Sequence, residues 1–206
     1  MAASNLFNQE RGINMAAPDI GVCVSAGING LKKDPVTHIV TSLLIGIVGG
    51  ATAGLLTGPM MVGYMRMIKR EDEGHKAEIA DVFKGFDDFV PALLAVLLSS
   101  IIVGIGFMLC FIPGLLIMAL VPVATYLVAV GEKDGIKAIS RAWDAVKANL
   151  LSAFFCGLVL AIVGSLGALL CGVGIILTLP VAFIGSYHMA KQMTDGGAAP
   201  MAITLG

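Results

Sequence analysis

Charged side chains are scarce in this sequence. Only 13% of its 206 residues are Asp, Glu, Lys or Arg, whereas soluble domains contain about 25%. Hydrophobic residues make up 57% of the chain, and the mean hydropathy is +0.93. This composition predicts an integral membrane protein.

An excess of positive charge is also missing. The 13 basic and 14 acidic residues give a net charge of −1, so no basic surface is available to neutralise nucleic-acid phosphates. The residues before Val36 lack the basic start, apolar core and cleavage site of a signal peptide. We therefore expect no nucleic-acid partner, and we expect the membrane segments themselves to direct insertion.

Motifs for catalysis and metal binding are missing as well. The four cysteines have no CxxC spacing and no clustering with histidines, unlike zinc and iron–sulfur sites. No nucleophile elbow, phosphate-binding loop or paired zinc ligands occur. We expect that the protein is not an enzyme and has no cofactor. The cysteines are interpreted as small apolar side chains; a disulfide between Cys110 and Cys171 is the alternative if their turns reach an oxidising compartment.

Three histidines remain as candidate ligands. His38 and His188 lie near the polar ends of the first and last apolar stretches, and His75 lies in the charged loop KREDEGHKAE. Solvated side chains at the membrane surface are the simpler interpretation of all three. Ligation of a pigment or haem by His38 or His188 is the alternative, because neutral imidazole binds metals.

The chain has a weak internal repeat with a period of about 57 residues. The pieces GING, GFDD and AWDA each end a short amphipathic segment and precede a long apolar stretch. Each repeat predicts an amphipathic helix followed by an apolar hairpin, and all three form one membrane domain. The predicted regions are an N-terminal cytoplasmic segment (1–17), repeats at 18–70, 71–131 and 132–192, and a flexible C-terminal tail (193–206).

The lengths of the apolar stretches set the number of membrane helices. Phe89–Val130 and Leu150–Ala190 are each long enough for two crossings, at about 20 residues per crossing, whereas Val36–Ile68 is shorter. We expect an all-α integral membrane fold with about six transmembrane helices in three hairpins. The helices of the first hairpin are expected to be short, less tilted or not fully spanning.

Charge is missing from the three predicted hairpin turns, GGATAG, MLCFIPG and ALLCGVG. Because basic residues accumulate on the cytoplasmic side, the termini and the segments between hairpins are predicted to be cytoplasmic. The expected location is a prokaryotic inner (cytoplasmic) or intracytoplasmic membrane.

Three amphipathic segments are predicted to lie along the cytoplasmic face. Asp134 is a candidate N-cap for the third of them. Their apolar positions recur at helical spacing: Ile20, Val24, Ile28 and Leu31 in the first; Ile79, Val82, Phe83, Phe86 and Val90 in the second; Ile136, Ile139, Trp143, Val146 and Leu150 in the third.

The second and third segments differ in charge, which suggests that they meet, within one subunit or between neighbouring copies. Two independently solvated faces are the alternative, since exposed ion pairs contribute little. The predicted interface comprises Glu78, Asp81, Asp87 and Asp88 on one side and Lys137, Arg141, Trp143 and Lys147 on the other.

Small residues spaced four apart indicate close helix packing, internal or between subunits. They are Gly46, Gly50 and Gly54 in the first hairpin and Gly164, Ala168 and Gly172 in the third. Hydroxyl side chains in the apolar stretches are expected to bond within their own helices: Ser99, Ser100, Thr125, Ser152, Ser165 and Thr178.

A longer pattern covers residues 58–193. KGFDDFVPALLAVLL precedes a hairpin turning at FIPG, then LVPVATYLV, GEKDGIKAISRAWDAVKANL and a second hairpin. This pattern resembles a broad group of poorly characterised prokaryotic six-helix membrane proteins, similar to the membrane domain attached to some glycerophosphodiester phosphodiesterases. The resemblance implies a helical membrane fold and transfers no functional residues, because the soluble catalytic domain of the fused enzymes has no counterpart in these residues.

We expect a non-catalytic protein that acts through assembly. It would be a membrane-organising or curvature-generating scaffold, or an accessory subunit of a larger membrane complex. Its partners would be the lipid bilayer and copies of itself or other subunits. The alternative is a transporter or channel for a small neutral or amphiphilic solute, because the membrane-embedded parts of the apolar stretches are expected to lack the ionisable groups of ion-coupled transport.

Overall fold

The computed structural model describes residues 17–109, 111–169 and 173–195, which form helices and contain no strand. The all-α fold expected from the sequence is therefore confirmed. A 3₁₀ helix, Ile79–Asp88, precedes α4. The α-helices are α1 (Ile20–Lys33), α2 (Pro35–Ala51), α3 (Thr57–Asp72), α4 (Phe89–Leu109), α5 (Phe111–Leu116), α6 (Leu120–Ala129), α7 (Gly135–Ala148), α8 (Leu150–Leu169) and α9 (Val173–Asp195).

Aspartate N-caps start three of these helices. Asp19 accepts a hydrogen bond from Val22 N, and Asp34 accepts one from Thr37 N, with Pro35 in the first turn of α2. The hydrogen bond from the Thr37 side chain is the main reason that the pKa of Asp34 is lowered. Asp134 accepts from Ile136 N at 2.9 Å, which confirms the predicted cap of α7.

Two of the amphipathic helices turn sharply into the apolar helix that follows. α1 and α2 meet at 107°, and α7 and α8 meet at 101°. The 3₁₀ helix instead continues into α4 without such a break, forming one long helix over Ile79–Leu109. The three units therefore share an order of elements, while only the first and third share the L shape.

We call the two arms of each hairpin its first and second limb. The second limb of each hairpin lies at the centre of the bundle. α3 packs against the 3₁₀ helix, α4 and α6, and α9 packs against α1, α2, α6 and α8. Every residue of α6 from Val123 to Ala129 is buried. The first limbs α2, α4 and α8 lie outside and expose large apolar side chains, including Ile47, Ile101 and Phe155.

Few helices are long enough to cross a bilayer unaided. Among the described residues, Ile79–Leu109 passes a test of length and apolar composition, and up to three spans pass if each L-shaped pair counts as one. α2 has 17 residues, or about 26 Å at the α-helical rise, slightly less than the hydrocarbon core. The second limb of the middle hairpin is divided into α5 and α6.

The predicted apolar faces match the buried ones in part: Val82, Ile139 and Val146 are buried as predicted, whereas other positions differ. α1 buries Cys23 and Gly27 and exposes Ile28, because α9 approaches so closely that a Cβ on Gly27 would lie 2.5 Å from Val181 O. The second segment winds as a 3₁₀ helix, with three residues per turn. It therefore buries Val82, Gly85 and Asp88 and leaves Phe83 exposed.

The N-terminal boundary of the tail also shifts. α9 continues through Asp195, so the flexible tail predicted from 193 does not begin before 196. The remaining tail, the N-terminal segment up to residue 16 and the Cys110–Cys171 pair lie outside the described residues. The two cysteines that are described, Cys23 and Cys156, are buried thiols.

Two glycines let α3 touch the backbone of the 3₁₀ helix. A Cβ added to Gly63 would overlap Val82 O, and one added to Gly85 would overlap Pro59 O. Backbone atoms cannot move away as a flexible side chain can. This contact therefore requires glycine on both sides.

Replacing Gly63 with alanine should destabilise the protein by about 1–3 kcal/mol or more, because the methyl group overpacks the contact. Thermal unfolding in detergent would measure the loss. Gly104→Ala in α4 is the matched control, since a Cβ there meets nothing within 4 Å. Equal stability of the two variants would contradict the backbone contact.

Candidate functional site

The charged side chains of separate helices gather at one end of the bundle, which we call the ionic end. It includes the start of α2, the end of α3, the 3₁₀ helix, the segment 131–134, α7 and the end of α9. Ion pairs connect these parts: His38–Glu71, Arg66–Asp88, Arg70–Asp81, Lys133–Asp88, Arg141–Glu132 and Lys191–Asp72.

Arg66 joins three parts of the ionic end. Its guanidinium pairs with Asp88, donates to Lys84 O at 2.9 Å, and donates to Ala129 O at 3.2 Å at the end of α6. Lys133 reaches the other oxygen of Asp88 at 2.7 Å. The planar guanidinium suits this role because its five donors point in fixed directions.

Two buried aspartates of the 3₁₀ helix are held ionised. The hydrogen bond from Lys133 is the main cause that lowers the pKa of Asp88, and Arg66 adds to it against the effect of burial. At Asp81, burial is the largest single effect and raises the pKa. The hydrogen bonds and charges of Lys84 and Arg70 outweigh it, so the pKa is lowered.

His38 is buried and not solvated. Its Nδ1 lies 3.0 Å from Tyr64 OH and its Nε2 lies 2.9 Å from Glu71. The prediction of a solvated histidine is therefore wrong, because α3 covers the ring. Both ring nitrogens are engaged, so His38 has none free for the pigment or haem considered from the sequence.

His188 is also nearly buried, contrary to the solvated interpretation. Its Nε2 lies 3.8 Å from Asp72, whose other oxygen accepts from Lys191 at 2.8 Å. Within the described part of the chain, no group of three or more His, Cys, Asp and Glu residues could hold a metal ion. His75 is exposed.

All three tyrosines of the chain lie on the central helices and are almost fully buried. Tyr64 bonds His38, and Tyr126 OH donates to Asp195 at 2.5 Å. The rings of Tyr126 and Tyr187 pack edge to face at 5.3 Å. The sequence contains a signal for this arrangement, because each tyrosine follows the proline of its own helix: Pro59, Pro122 and Pro180.

The predicted interface residues do not pair with one another inside the chain. Asp81 and Asp88 bind the arginines of α3, whereas Glu78 and Asp87 are exposed. On α7, Arg141 pairs with Glu132 at 3.1 Å, Lys147 with Asp144 at 3.3 Å, and Lys137 lies 4.0 Å from Asp134. Trp143 lies partly exposed at an apolar groove. Pairing between copies stays a prediction.

The glycines predicted to pack helices have different surroundings. A Cβ on Gly46, Gly50 or Gly54 would meet nothing within 4 Å, whereas one on Gly164 would contact Ala182 at 3.5 Å. Packing through the first three therefore does not occur among the described residues, and packing between copies stays a prediction. The surroundings of Ala168 and Gly172 lie outside what the structure describes.

Four hydroxyls in the apolar helices bond to carbonyl groups. Thr125 donates to Val121 O at 2.7 Å, and Thr178 donates to Gly164 O at 3.0 Å and to Gly174 O. Ser99 and Ser165 each donate to the carbonyl four residues earlier. These hydroxyl groups therefore donate their hydrogen bonds to acceptors within the helix bundle.

The sequence pattern does not single out Arg66. It lies inside the stretch Val36–Ile68 that we expected to be free of charge, so the apolar part of α3 ends earlier than predicted. The available signal is the pair Arg66 and Arg70, which lie one helical turn apart and precede three acidic residues. Two cations on one helix face favour a partner of opposite charge.

The chain belongs to the family described as "Domain of unknown function (DUF7847)", which matches residues 79–204. The matched region begins at the 3₁₀ helix and leaves out the first hairpin. No curated protein matches the chain. No solved structure matches it either.

The pairing of Asp88 predicts a dependence of stability on pH. Its folded pKa is below the unfolded value, so its contribution is complete above about pH 4 and is lost as pH falls through the folded pKa. Asp88→Asn should lower the free energy of unfolding by about 1–3 kcal/mol at neutral pH. The difference from wild type should shrink below about pH 4.

Unfolding midpoints in detergent, recorded across this pH range, would measure the effect. Asp87→Asn is the matched control, because Asp87 is the exposed neighbour of Asp88. A difference between Asp88→Asn and wild type that stays constant with pH would contradict the pairing.

Proposed function

We propose that this chain is an integral membrane protein that acts through assembly and not through catalysis. It would organise or curve the membrane as a scaffold, or serve as an accessory subunit of a larger membrane complex. The observation that carries the proposal is the ionic end of an otherwise apolar bundle whose outer helices expose large apolar side chains.

The outer surface supports placement in lipid. Only 22% of the most apolar window of the Ile79–Leu109 helix is buried. Met108 and Leu109, at the end of α4 away from the ionic end, are 90% and 79% exposed. Monomeric soluble proteins rarely expose apolar patches of such extent.

The L-shaped pairs support an interfacial position for α1 and α7. A helix that turns by about a right angle into an apolar helix can lie along the membrane surface while its neighbour enters the bilayer. The amphipathic elements all expose large apolar side chains to the surroundings: Ile28 on α1, Phe83 on the 3₁₀ helix, and Ile136 and Trp143 on α7.

The proposed topology keeps six membrane helices in three hairpins of unequal depth. α4, α8 and α9 have 21, 20 and 23 residues, which suits a crossing of about 20 residues. The first hairpin and the divided limb of α5 and α6 would enter without a complete crossing. Their polypeptide volume then lies mainly in one leaflet, which favours curvature.

The ionic end is placed in the cytoplasm, because cationic side chains are retained there. Both termini would be cytoplasmic, in a prokaryotic inner or intracytoplasmic membrane. The resemblance to the membrane domain attached to some glycerophosphodiester phosphodiesterases is part of this proposal. A neutral-solute path has less support, because Ser99 and Thr178 donate to helix carbonyls.

The proposed orientation predicts that a cysteine at the ionic end can be labelled only from the cytoplasmic side. In Glu73→Cys the thiol replaces an exposed side chain at the ionic end, and in Leu55→Cys it lies in the turn of the first hairpin. A membrane-impermeant maleimide added to intact cells should leave Glu73→Cys unlabelled until the cells are lysed. The unsubstituted chain gives the background from its own cysteines.

Labelling of Glu73→Cys in intact cells would overturn the orientation. Labelling of Leu55→Cys then reports the depth of the first hairpin. A thiol that reacts from outside indicates a complete crossing, and one protected on both sides indicates a turn within the membrane.

Assembly predicts defined oligomers in nanodiscs or deformation of liposomes. Particle mass and electron microscopy of liposomes would measure these.

The double variant Ile28→Gln, Phe83→Gln removes apolar area from two surface elements without touching the buried core, so it should reduce deformation while leaving the unfolding midpoint near wild type. Gln substitution of the exposed Lys76 is a control for a surface change away from these faces. A strictly monomeric protein that leaves liposomes unchanged would rule the proposal out.

A further inference from the structure

An apolar groove of about 410 Å³ lies between α4 and α7. This volume is within the range of about 300–1,000 Å³ for small-molecule sites. Its lining is almost entirely hydrocarbon, with a single hydroxyl side chain. The lining residues are Leu98, Ile102, Ile136, Ile139, Ser140 and Trp143.

The groove connects an apolar helix with a surface helix. Gly135, at the start of α7, lies against α4 so closely that a Cβ there would be 2.9 Å from Pro91 O. From this contact the lining passes to Leu98 and Ile102, farther along the apolar α4. Ile136 remains 64% exposed at the groove. An occupant would therefore meet the polar surface at α7 and hydrocarbon along α4.

Cations lie along the same helix. α7 carries Lys137, Arg141 and Lys147 against the single acid Asp144. Lys147 Nζ lies 5.6 Å from the ring centre of Trp143, a groove residue. Lys137 directly follows the groove residue Ile136 and is 72% exposed.

These lysines can bind an anion despite their acidic neighbours. Lys137 and Lys147 each face an aspartate three residues away, at 4.0 and 3.3 Å. Exposed pairs of this kind contribute little to stability. The negatively charged oxygens of a lipid phosphate can therefore compete with these aspartates as acceptors of the lysine hydrogen bonds.

We propose that the groove between α4 and α7 binds an anionic phospholipid. One acyl chain lies against Leu98, Ile102 and Trp143, and Lys147, beside Trp143, binds the headgroup phosphate. Lys137, about 15 Å away along α7, adds positive charge to the headgroup surface. The inference rests on the proposed membrane location of the chain. It adds a lipid class and a site to that proposal.

Trp143 is the only tryptophan of the chain, so it reports directly on the groove. The protein is reconstituted into phosphatidylcholine vesicles in which brominated phosphatidylglycerol or brominated phosphatidylcholine replaces increasing fractions of the lipid. Bromine on the acyl chain quenches tryptophan fluorescence on contact. We expect brominated phosphatidylglycerol to quench Trp143 more strongly, and to saturate at a lower mole fraction.

The double variant Lys137→Gln, Lys147→Gln should raise the mole fraction for half-maximal quenching, by roughly fivefold for each lysine. The matched control, Lys32→Gln with Lys76→Gln, removes two exposed cations that lie outside the groove. General attraction to an anionic surface would change equally in both double variants. An equal change would therefore overturn the site.

A reference tryptophan separates the site from the membrane location. In Trp143→Phe, Ile101→Trp, the tryptophan replaces an exposed side chain of α4. If both lipids quench Trp143 equally while this reference is quenched, the lipid site is wrong and the membrane location stands. If the reference is quenched and Trp143 is not, protein covers the groove and the site is wrong. If neither is quenched, the membrane location fails and the site fails with it.

Discussion

A partly buried guanidinium at the ionic end of a mainly apolar bundle needs partners, and the position of Arg66 constrains the chain around it. Its donors reach Asp88, the backbone of Lys84 and the end of α6. Leaving such a charge unpaired away from water would be costly. The end of α3, the 3₁₀ helix and the end of α6 must therefore come together at one level of the bundle.

The unusual winding of the second amphipathic segment is consistent with this constraint. Asp81 and Asp88 both point inward to arginines of α3, at the same time as Gly85 touches the backbone of that helix. Three residues per turn place positions 82, 85 and 88 on one face. An α-helix would rotate successive positions of this set away from α3 by about 60° each. The ion pair of Asp88 and the glycine contact both fit the tighter helix.

The sequence predicts the helices well and their faces less well. Composition, apolar length and Asp134 are local signals, and they lead to the all-α fold and the cap of α7. Burial of His38, by contrast, depends on Tyr64 and Glu71, which lie on α3. The stripe of α1 is only partly right for the same reason. Ile20, Val24 and Leu31 pack against the core, but α9 approaches Cys23 and Gly27 from the distant end of the chain and leaves Ile28 exposed. Local periodicity records apolarity, while tertiary contacts decide which apolar residues face inward.

The central and outer helices of the bundle have different roles. Central helices α3, α6 and α9 carry the tyrosines and the links to the ionic end, so their sequences are constrained by one another. Outer helices α2, α4 and α8 leave large apolar side chains exposed to surrounding molecules. The groove between α4 and α7 lies where such an outer helix meets a cationic surface helix. Anionic lipid matches both halves of that junction, since its chain is apolar and its headgroup is negative. The same pairing would fix the height of α7 relative to the bilayer, and through the 101° bend it would also fix the direction in which α8 enters.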